Sequence, residues 1–198
     1  TLYVAVDRKY IGRIAITDEI KEDSKKAIEM LRKEGVSNIV MLTGDKKEAA
    51  DKVAKEINID KIYSELLPAD KVAKVEELLN NKDDSKALAF VGDGINDSPV
   101  LARADIGIAM GGLGSDAAIE AADIVIMTDE PSKVAKAIQI AKKTIKIAHE
   151  NIMFAIFIKV LILILSAIGI ATMWEAVFAD VGVTIIAVLN SFRAMKVQ

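Results

Sequence analysis

A divalent metal ion and a phosphate could share the stretch Val91-Gly92-Asp93-Gly94-Ile95-Asn96-Asp97-Ser98-Pro99. Asp93 and Asp97 are hard oxygen donors four residues apart. That ligand class suits Mg²⁺ held between protein and phosphate. Gly92 and Gly94 let the backbone turn sharply and approach a bound group. Asn96 and Asp97 are placed to orient and support the ion's surroundings. Two other stretches add phosphate-binding groups. Thr43-Gly44-Asp45 offers a hydroxyl and a backbone N–H that no side chain shields. Lys71 offers a point charge for a developing phosphoryl dianion. Singly, each is ordinary turn chemistry or a solvated lysine. Their succession, each after a strand, points to magnesium-dependent phosphoryl chemistry.

The elements that must position these groups alternate in type. Leu2–Val6 and Ile11–Ile16 are β-prone runs around Asp7-Arg8-Lys9 and read as a hairpin. Ser24–Glu34 has helical spacing and stops at Gly35. Ser37–Leu42 reads as a strand leading into Thr43, and Lys46–Ile57 as an amphipathic helix. A short strand around Ile62 and Tyr63 precedes a helix over Pro68–Leu79, with Pro where a missing N–H costs nothing. Lys86–Val91 is the strand entering the Asp93 motif, and Val100–Ala104 is a helix leaving it. Asp105–Met110 and Asp123–Met127 read as strands, with Gly111-Gly112-Leu113-Gly114 and a small-residue helix from Ser115 between them. This alternation predicts an α/β domain with a parallel sheet of βαβ units, whose ligands bind beyond the carboxyl ends of the strands. No GxxxxGK[ST] sequence occurs, and Asp97 stands where a dinucleotide fingerprint needs a third glycine.

The carboxy-terminal part differs. Pro131–Glu150 predicts a long helix bearing Lys133, Lys136, Lys142, Lys143 and Lys146. From Ile152 to about Ala171 only Lys159 is charged, and about 20 apolar residues span a bilayer core. After a turn at Thr172-Met173, a second apolar run extends from Trp174 to Leu189 and contains Glu175 and Asp180. Lysines before the first run, with Arg193 and Lys196 after the second, put both ends on the cytoplasmic side. The reading is a transmembrane hairpin (about 152–171 and 174–191) with the domain before it in the cytoplasm. A buried hairpin in a soluble protein is the alternative. Intramembrane charges are expensive and usually functional, so Asp180 is a candidate ligand for a divalent cation and Lys159 its charge partner. The alternatives are an interfacial acid and a snorkelling lysine. Glu175 and Trp174 read as interfacial. His149, the lone histidine, has no Cys or second His near it.

Composition agrees with that division. Hydrophobic residues make up 52% and mean hydropathy is +0.31, yet 28% of residues are charged. Net charge of −3 gives no electrostatic footprint for nucleic acid. Absence of Cys excludes disulfides, thiolate metal sites and a thiol nucleophile.

Met41-Leu42-Thr43-Gly44-Asp45, Leu67-Pro68-Ala69-Asp70-Lys71, the Gly92–Pro99 motif and Asp105-Ile106-Gly107-Ile108-Ala109-Met110-Gly111 resemble the phosphorylation-domain motifs of P-type ATPases. The resemblance covers essentially the whole chain. It implies a haloacid-dehalogenase-like, Rossmannoid domain over 1–147 and a transmembrane helix pair over 148–198. It also implies that Thr43, Gly44, Asp45 and Lys71 serve the phosphoryl group. Asp93 is then the Mg²⁺ ligand, with Asn96 and Asp97 beside it. ATP and Mg²⁺ follow as cofactors, and a cell-membrane location as the setting. Lys46 departs from the usual Asn after Thr-Gly-Asp.

The segment Trp174–Asp180 with Lys159 resembles the last helices of the zinc/cadmium/lead-exporting subgroup, where the final-helix Asp binds the transported ion and the Lys accompanies it. The family's phosphorylated aspartate lies in Asp-Lys-Thr-Gly-Thr, which occurs nowhere here. Asp45 is no substitute, because it lacks the Lys-Thr context and already fits the second motif. The expectation is therefore a carboxy-terminal piece of a pump, beginning just after the nucleotide-binding domain. Such a piece is inactive alone and partnered by its amino-terminal remainder, the lipid bilayer, ATP and a divalent metal, but not by nucleic acid. The competing expectations are a membrane-anchored phosphatase of the same superfamily, a pump for another cation, and an inert interaction fragment.

Overall fold

A computed structural model describes residues 2–14, 20–92, 95–111 and 116–195. It divides into two compact units, Thr1–Ser132 and Lys133–Gln198.

In the first unit, β1 (Leu2–Val6) and β2 (Lys9–Ile14) form the antiparallel hairpin. Asp7 and Arg8 both take positive φ, 48° and 63°, the conformation of a two-residue turn that matches strand twist. The predicted end of the second strand, at Ile16, lies outside the described residues. Helix α1 (Glu22–Lys33) starts two residues ahead of the predicted Ser24. Acidic Glu22 and Asp23 in its first turn suit the positive end of the helix dipole. It ends as predicted at Gly35, φ 88°.

The strands are shorter than their apolar runs. β3 (Val40–Leu42) pairs in parallel with β4 (Lys61–Tyr63), joined by α2 (Lys47–Ile57). Helix α3 (Pro68–Asn80) leads to β5 (Ala89–Gly92), which pairs in parallel with β6 (Ile106–Met110), and β6 with β7 (Ile124–Ile126). The parallel ladders are two, β3-β4 and β5-β6-β7, and no pairing joins β3 to β5 among the described residues. The predicted helix over Val100–Ala104 is displaced. A 3₁₀ turn, Ile95–Asp97, runs directly into α4 (Ser98–Leu101), because Pro99 is tolerated in a first turn and the chain exits through turns at 102–104. Helix α5 (Asp116–Ala121) lies between β6 and β7; Ser115, its predicted start, is outside the described residues.

The best-buried cluster lies under β5 and β6: Leu101, Ala109 and Ala118 are nearly inaccessible, with Phe90 and Val125 packed on them. Gly107 makes this contact possible, since a Cβ there would stand 2.6 Å from the Leu101 carbonyl oxygen.

Each parallel strand pair is pinned at its amino end by an aspartate. Ile39 N–H donates to Asp60 at 2.7 Å, Leu88 N–H to Asp105 at 2.7 Å, and Gly107 N–H to Asp123 at 2.8 Å. Each aspartate immediately precedes its strand and accepts from the neighbouring one. Arg32 adds a 2.9 Å ion pair to Asp60, and Lys82 a 3.4 Å pair to Asp105.

The two predicted helices Pro131–Glu150 and 152–171 are one, α6 (Ser132–Ala167), unbroken for 36 residues. Nothing in its sequence supplies a break: neither Pro nor Gly occurs between Ser132 and Ala167. The turn comes earlier than the predicted Thr172-Met173, at 168–172, with Gly169 at φ 78°. Helix α7 (Met173–Ser191) follows, and Phe192–Met195 adds a 3₁₀ turn. Both helices are long and apolar enough to cross a membrane. Their apolar side chains face outward: Phe157, Leu163 and Phe178 are 64%, 69% and 74% exposed. A buried hairpin in a soluble core does not have that surface.

Candidate functional site

The exit of β3 is a closed turn. Thr43 Oγ1 donates to an Asp45 carboxylate oxygen at 2.8 Å and accepts the Asp45 N–H at 3.1 Å. The turn is strapped to the loop after β4, where Thr43 N–H donates to the Tyr63 carbonyl at 3.0 Å. Leu66 N–H donates to the Thr43 carbonyl at 3.1 Å, and Glu65 N–H to that of Asp45 at 2.9 Å. Gly44 fits beneath this strap, because a Cβ would lie 3.3 Å from the Leu66 carbonyl oxygen. Glu65 takes φ 59° to close it, a left-handed conformation costing a side-chain residue roughly 1 kcal/mol.

Helix α3 begins beyond that loop. Asp70 accepts the Leu67 N–H at 2.9 Å and fixes the first turn, which places Lys71 facing the end of β5. Lys71 Nζ meets Asp97 Oδ1 at 2.8 Å, with both side chains largely shielded, 20% and 13% exposed. Asp97 sits against the strand end because Gly92 is there: a Cβ on Gly92 would fall 2.9 Å from Asp97 Cβ. Asn96 is exposed. Asp93 and Gly94 lie outside the described residues.

Lys71 and Asp97, 26 positions apart, are thus brought together at the carboxyl end of the parallel strands. Thr43 and Asp45 occupy the exit of β3 in the other parallel pair, and among the described residues no hydrogen bond joins them to Lys71 or Asp97. A largely shielded ammonium beside a hard carboxylate fits a phosphate with its magnesium ion. Oδ1 of Asp97 is engaged by Lys71, while Oδ2 lies toward Gly92. An incoming phosphate offers Lys71 a second anionic partner.

In the helix pair, Lys159 Nζ and Asp180 Oδ1 are 3.2 Å apart, with their side chains 66% and 63% exposed. Glu175 has a structural partner that the sequence reading missed. It accepts the Thr172 N–H at 2.9 Å and caps α7. The Thr-x-x-Glu spacing was the available signal. Trp174 stands in the first turn of α7, 70% exposed. The His149 ring nitrogen Nδ1 lies 3.1 Å from the Ile145 carbonyl oxygen of its own helix. No group of three or more His, Cys, Asp or Glu gathers for a metal among the described residues. Also missed were Asn151 and Asn190, whose amides meet at 2.8 Å between the helices. The signal was polar amides bounding otherwise apolar runs.

Along its whole length the chain is similar to metal-transporting ATPases. It is 59% identical over 197 residues to the cadmium, zinc and cobalt-transporting ATPase of Bacillus subtilis (strain 168), covering 100% of this chain and 28% of that protein. It is 57% identical over 195 residues to the zinc-transporting ATPase of Synechocystis sp., covering 98% of this chain and 27% of the relative. The chain therefore spans little more than a quarter of the length of these relatives, in their carboxy-terminal part. The crystal structure of a zinc-transporting PIB-type ATPase in its E2.Pi state superposes with TM-score 0.83 at 35% identity, over 98% of this chain and 31% of that one. Residues 2–105 match the haloacid dehalogenase-like hydrolase family. With its parallel strands and its Lys71–Asp97 pair, the chain belongs to that family, and along its length it is similar to P-type metal-transporting ATPases.

Proposed function

We propose that this chain is the carboxy-terminal part of a P-type pump that exports divalent heavy-metal cations, Zn²⁺, Cd²⁺ or Pb²⁺, at the expense of ATP. The observation that carries the reading is the presence of two ion pairs on one chain. Lys71–Asp97 sits at the carboxyl end of a parallel sheet, and Lys159–Asp180 links two apolar helices with both side chains exposed. The first arrangement handles phosphoryl groups, and the second keeps a carboxylate in a medium where an unpaired charge is costly.

In the pump, Asp93 and Asp97 hold Mg²⁺, which neutralises charge on the transferred phosphoryl group when bound. Lys71 holds a phosphoryl oxygen, Thr43 and Gly44 offer it the hydroxyl and a backbone N–H, and Asn96 steadies the shell around Asp97. The nucleophilic aspartate and the nucleotide site belong to the rest of the pump, so the chain by itself does not hydrolyse ATP. Asp180 binds the transported ion, and Lys159 replaces it as counter-charge when the ion has left. The pump lies in the cell membrane, with the sheet domain and both ends of the helix pair cytoplasmic.

The test uses the full-length pump in proteoliposomes. Asp180→Ala removes zinc-stimulated ATP hydrolysis while phosphorylation by inorganic phosphate continues. Zinc stimulation retained by that variant overturns the assignment.

A further inference from the structure

We propose that Asn151 and Asn190 form an amide clamp that sets the register of α7 against α6 and thereby positions Asp180 opposite Lys159. The proposal rests on the reading of Asp180 as the ligand of the transported cation.

The two helices meet along narrow seams. On α6 the shielded positions include Ile147, Asn151, Ala155, Ile158 and Ile162; on α7 they include Ala176, Ala179, Val183, Ala187 and Asn190. Steps of three and four residues along each seam describe one helix face. These seams are mostly small or aliphatic, so they specify little about axial position; one turn of sliding brings similar residues together. Helix association between apolar surfaces in lipid depends on close packing and on interhelical hydrogen bonds.

The hydrogen bonds cluster at one end. Asn190 Nδ2 donates to Asn151 Oδ1 at 2.8 Å. Asn151 Nδ2 donates to the Ala187 carbonyl at 3.1 Å and to Ser191 Oγ at 3.2 Å. Arg193 Nη1 donates to Asn190 Oδ1 at 2.8 Å and to Glu150 Oε2 at 3.0 Å. Each asparagine thus donates and accepts, and both are half-buried. The Arg193–Glu150 pair is more exposed and its side chains are longer, so it tolerates displacement.

From this clamp the ion pair is reached by similar paths. Lys159 lies eight residues beyond Asn151 and Asp180 ten before Asn190, rises of about 12 Å and 15 Å. The flexible lysine absorbs the difference. Sliding α7 by one turn, about 5.4 Å, breaks the amide contacts and carries Asp180 out of reach of Lys159 together. Asn151 and Asn190 are therefore positioning residues.

These 198 residues contain no cysteine, so, once any cysteines elsewhere in the full-length pump are replaced, introduced pairs report register directly. In lipid nanodiscs holding the full-length pump, Lys159→Cys is combined in turn with Ala176→Cys, Asp180→Cys and Thr184→Cys, and the yield of cross-linking by a short bis-methanethiosulfonate reagent, which spans the gap that the lysine side chain bridges, is measured. The expected profile peaks at position 180 and loses that peak, by fivefold or more, when Asn151→Leu and Asn190→Leu are added. Arg193→Gln leaves the peak in place. A peak at 180 that survives the double leucine variant, or equal yields at the three positions in the parent, overturns the clamp. The second arm measures zinc half-saturation of the full-length pump, where Asn190→Ala raises it tenfold or more while phosphorylation by phosphate is unchanged. An unchanged half-saturation overturns the positioning role. If the parent pump shows no zinc stimulation, the functional reading fails, and the cross-linking profile still decides the clamp.

Discussion

Aspartates sit at both ends of the parallel strands, and the two ends use them differently. At the amino end, Asp60, Asp105 and Asp123 accept backbone N–H groups from the neighbouring strand. Those donors lie in the ladder (Gly107) or directly before it (Ile39 and Leu88), so the carboxylates help to fix register. At the carboxyl end, Asp45 and Asp97 are engaged by a hydroxyl and by a lysine ammonium. Those partners move on rotatable side chains and can be exchanged for a ligand. The aspartates that precede a strand accept backbone N–H groups, whereas for those that follow one the proposed role is in phosphoryl chemistry. What differs is the added backbone partner, since Arg32 and Lys82 also reach Asp60 and Asp105 with their side chains.

The contrast is broken most sharply at the carboxyl end. Lys71→Ala in the full-length pump should lower the rate of phosphoenzyme formation by about a hundredfold or more, as loss of a preorganised charge does. The melting temperature should stay near that of the parent; a rate within a few fold of the parent dissolves the distinction. Next comes packing beneath the sheet. Gly107→Ala drives a Cβ toward the Leu101 carbonyl and should destabilise the sheet unit by about 1–3 kcal/mol, read by denaturant melts, with phosphoenzyme formation per folded molecule preserved.

A smaller effect tests the amino end. The Leu88 N–H, with Lys82 beside it, holds the Asp105 carboxyl below its usual range, and the Arg32 guanidinium, with the Ile39 N–H, does so for Asp60. A carboxyl whose folded value is depressed stabilises the fold above its unfolded value, near about pH 4, and that contribution is lost as pH falls through the folded value. Melting temperature should therefore fall as pH is lowered from about 5 toward 2, and Asp105→Asn should flatten the slope. An unchanged slope removes Asp105 from the account. The smallest effect belongs to Glu65. Glu65→Gly relieves its left-handed φ and should stabilise by up to about 1 kcal/mol; destabilisation would mean the side chain has a partner in the pump.

Much of this was legible in the sequence because it was local. Thr43-Gly44-Asp45 after an apolar run, Pro68 opening a helix with Lys71 in its first turn, and glycines around Asp93 all carry their meaning within a few residues. Strand starts were placed too early since the β-prone runs begin before the ladder does. Ser37 to Ile39 and Lys86 to Leu88 precede the paired residues, and the aspartates catch them at Ile39 and Leu88. That aspartate pairing is non-local, reaching across 21, 17 and 16 positions, so no window shows it. The unbroken α6 was missed because the change from lysine-rich to apolar composition looked like a boundary, although helices end at glycine, proline or caps rather than at changes of polarity. The Asn151–Asn190 contact needed the antiparallel register, which composition does not provide.

The continuity of α6 has a mechanical consequence. Thirty-six helical residues make a rod of about 54 Å, well beyond the roughly 30 Å of a hydrocarbon core. The lysine-bearing turns and the apolar turns therefore share one hydrogen-bonded shaft with no joint between them. A flexible linker would dissipate a twist applied at the lysine-bearing end, whereas a continuous helix delivers it to Lys159 as the same angle. A rotation of about 100°, one residue's worth of helix, would turn Lys159 away from Asp180 without stretching a single backbone hydrogen bond. Such a rotation would also part Asn151 from Asn190, so the amide clamp and the ion pair would release together.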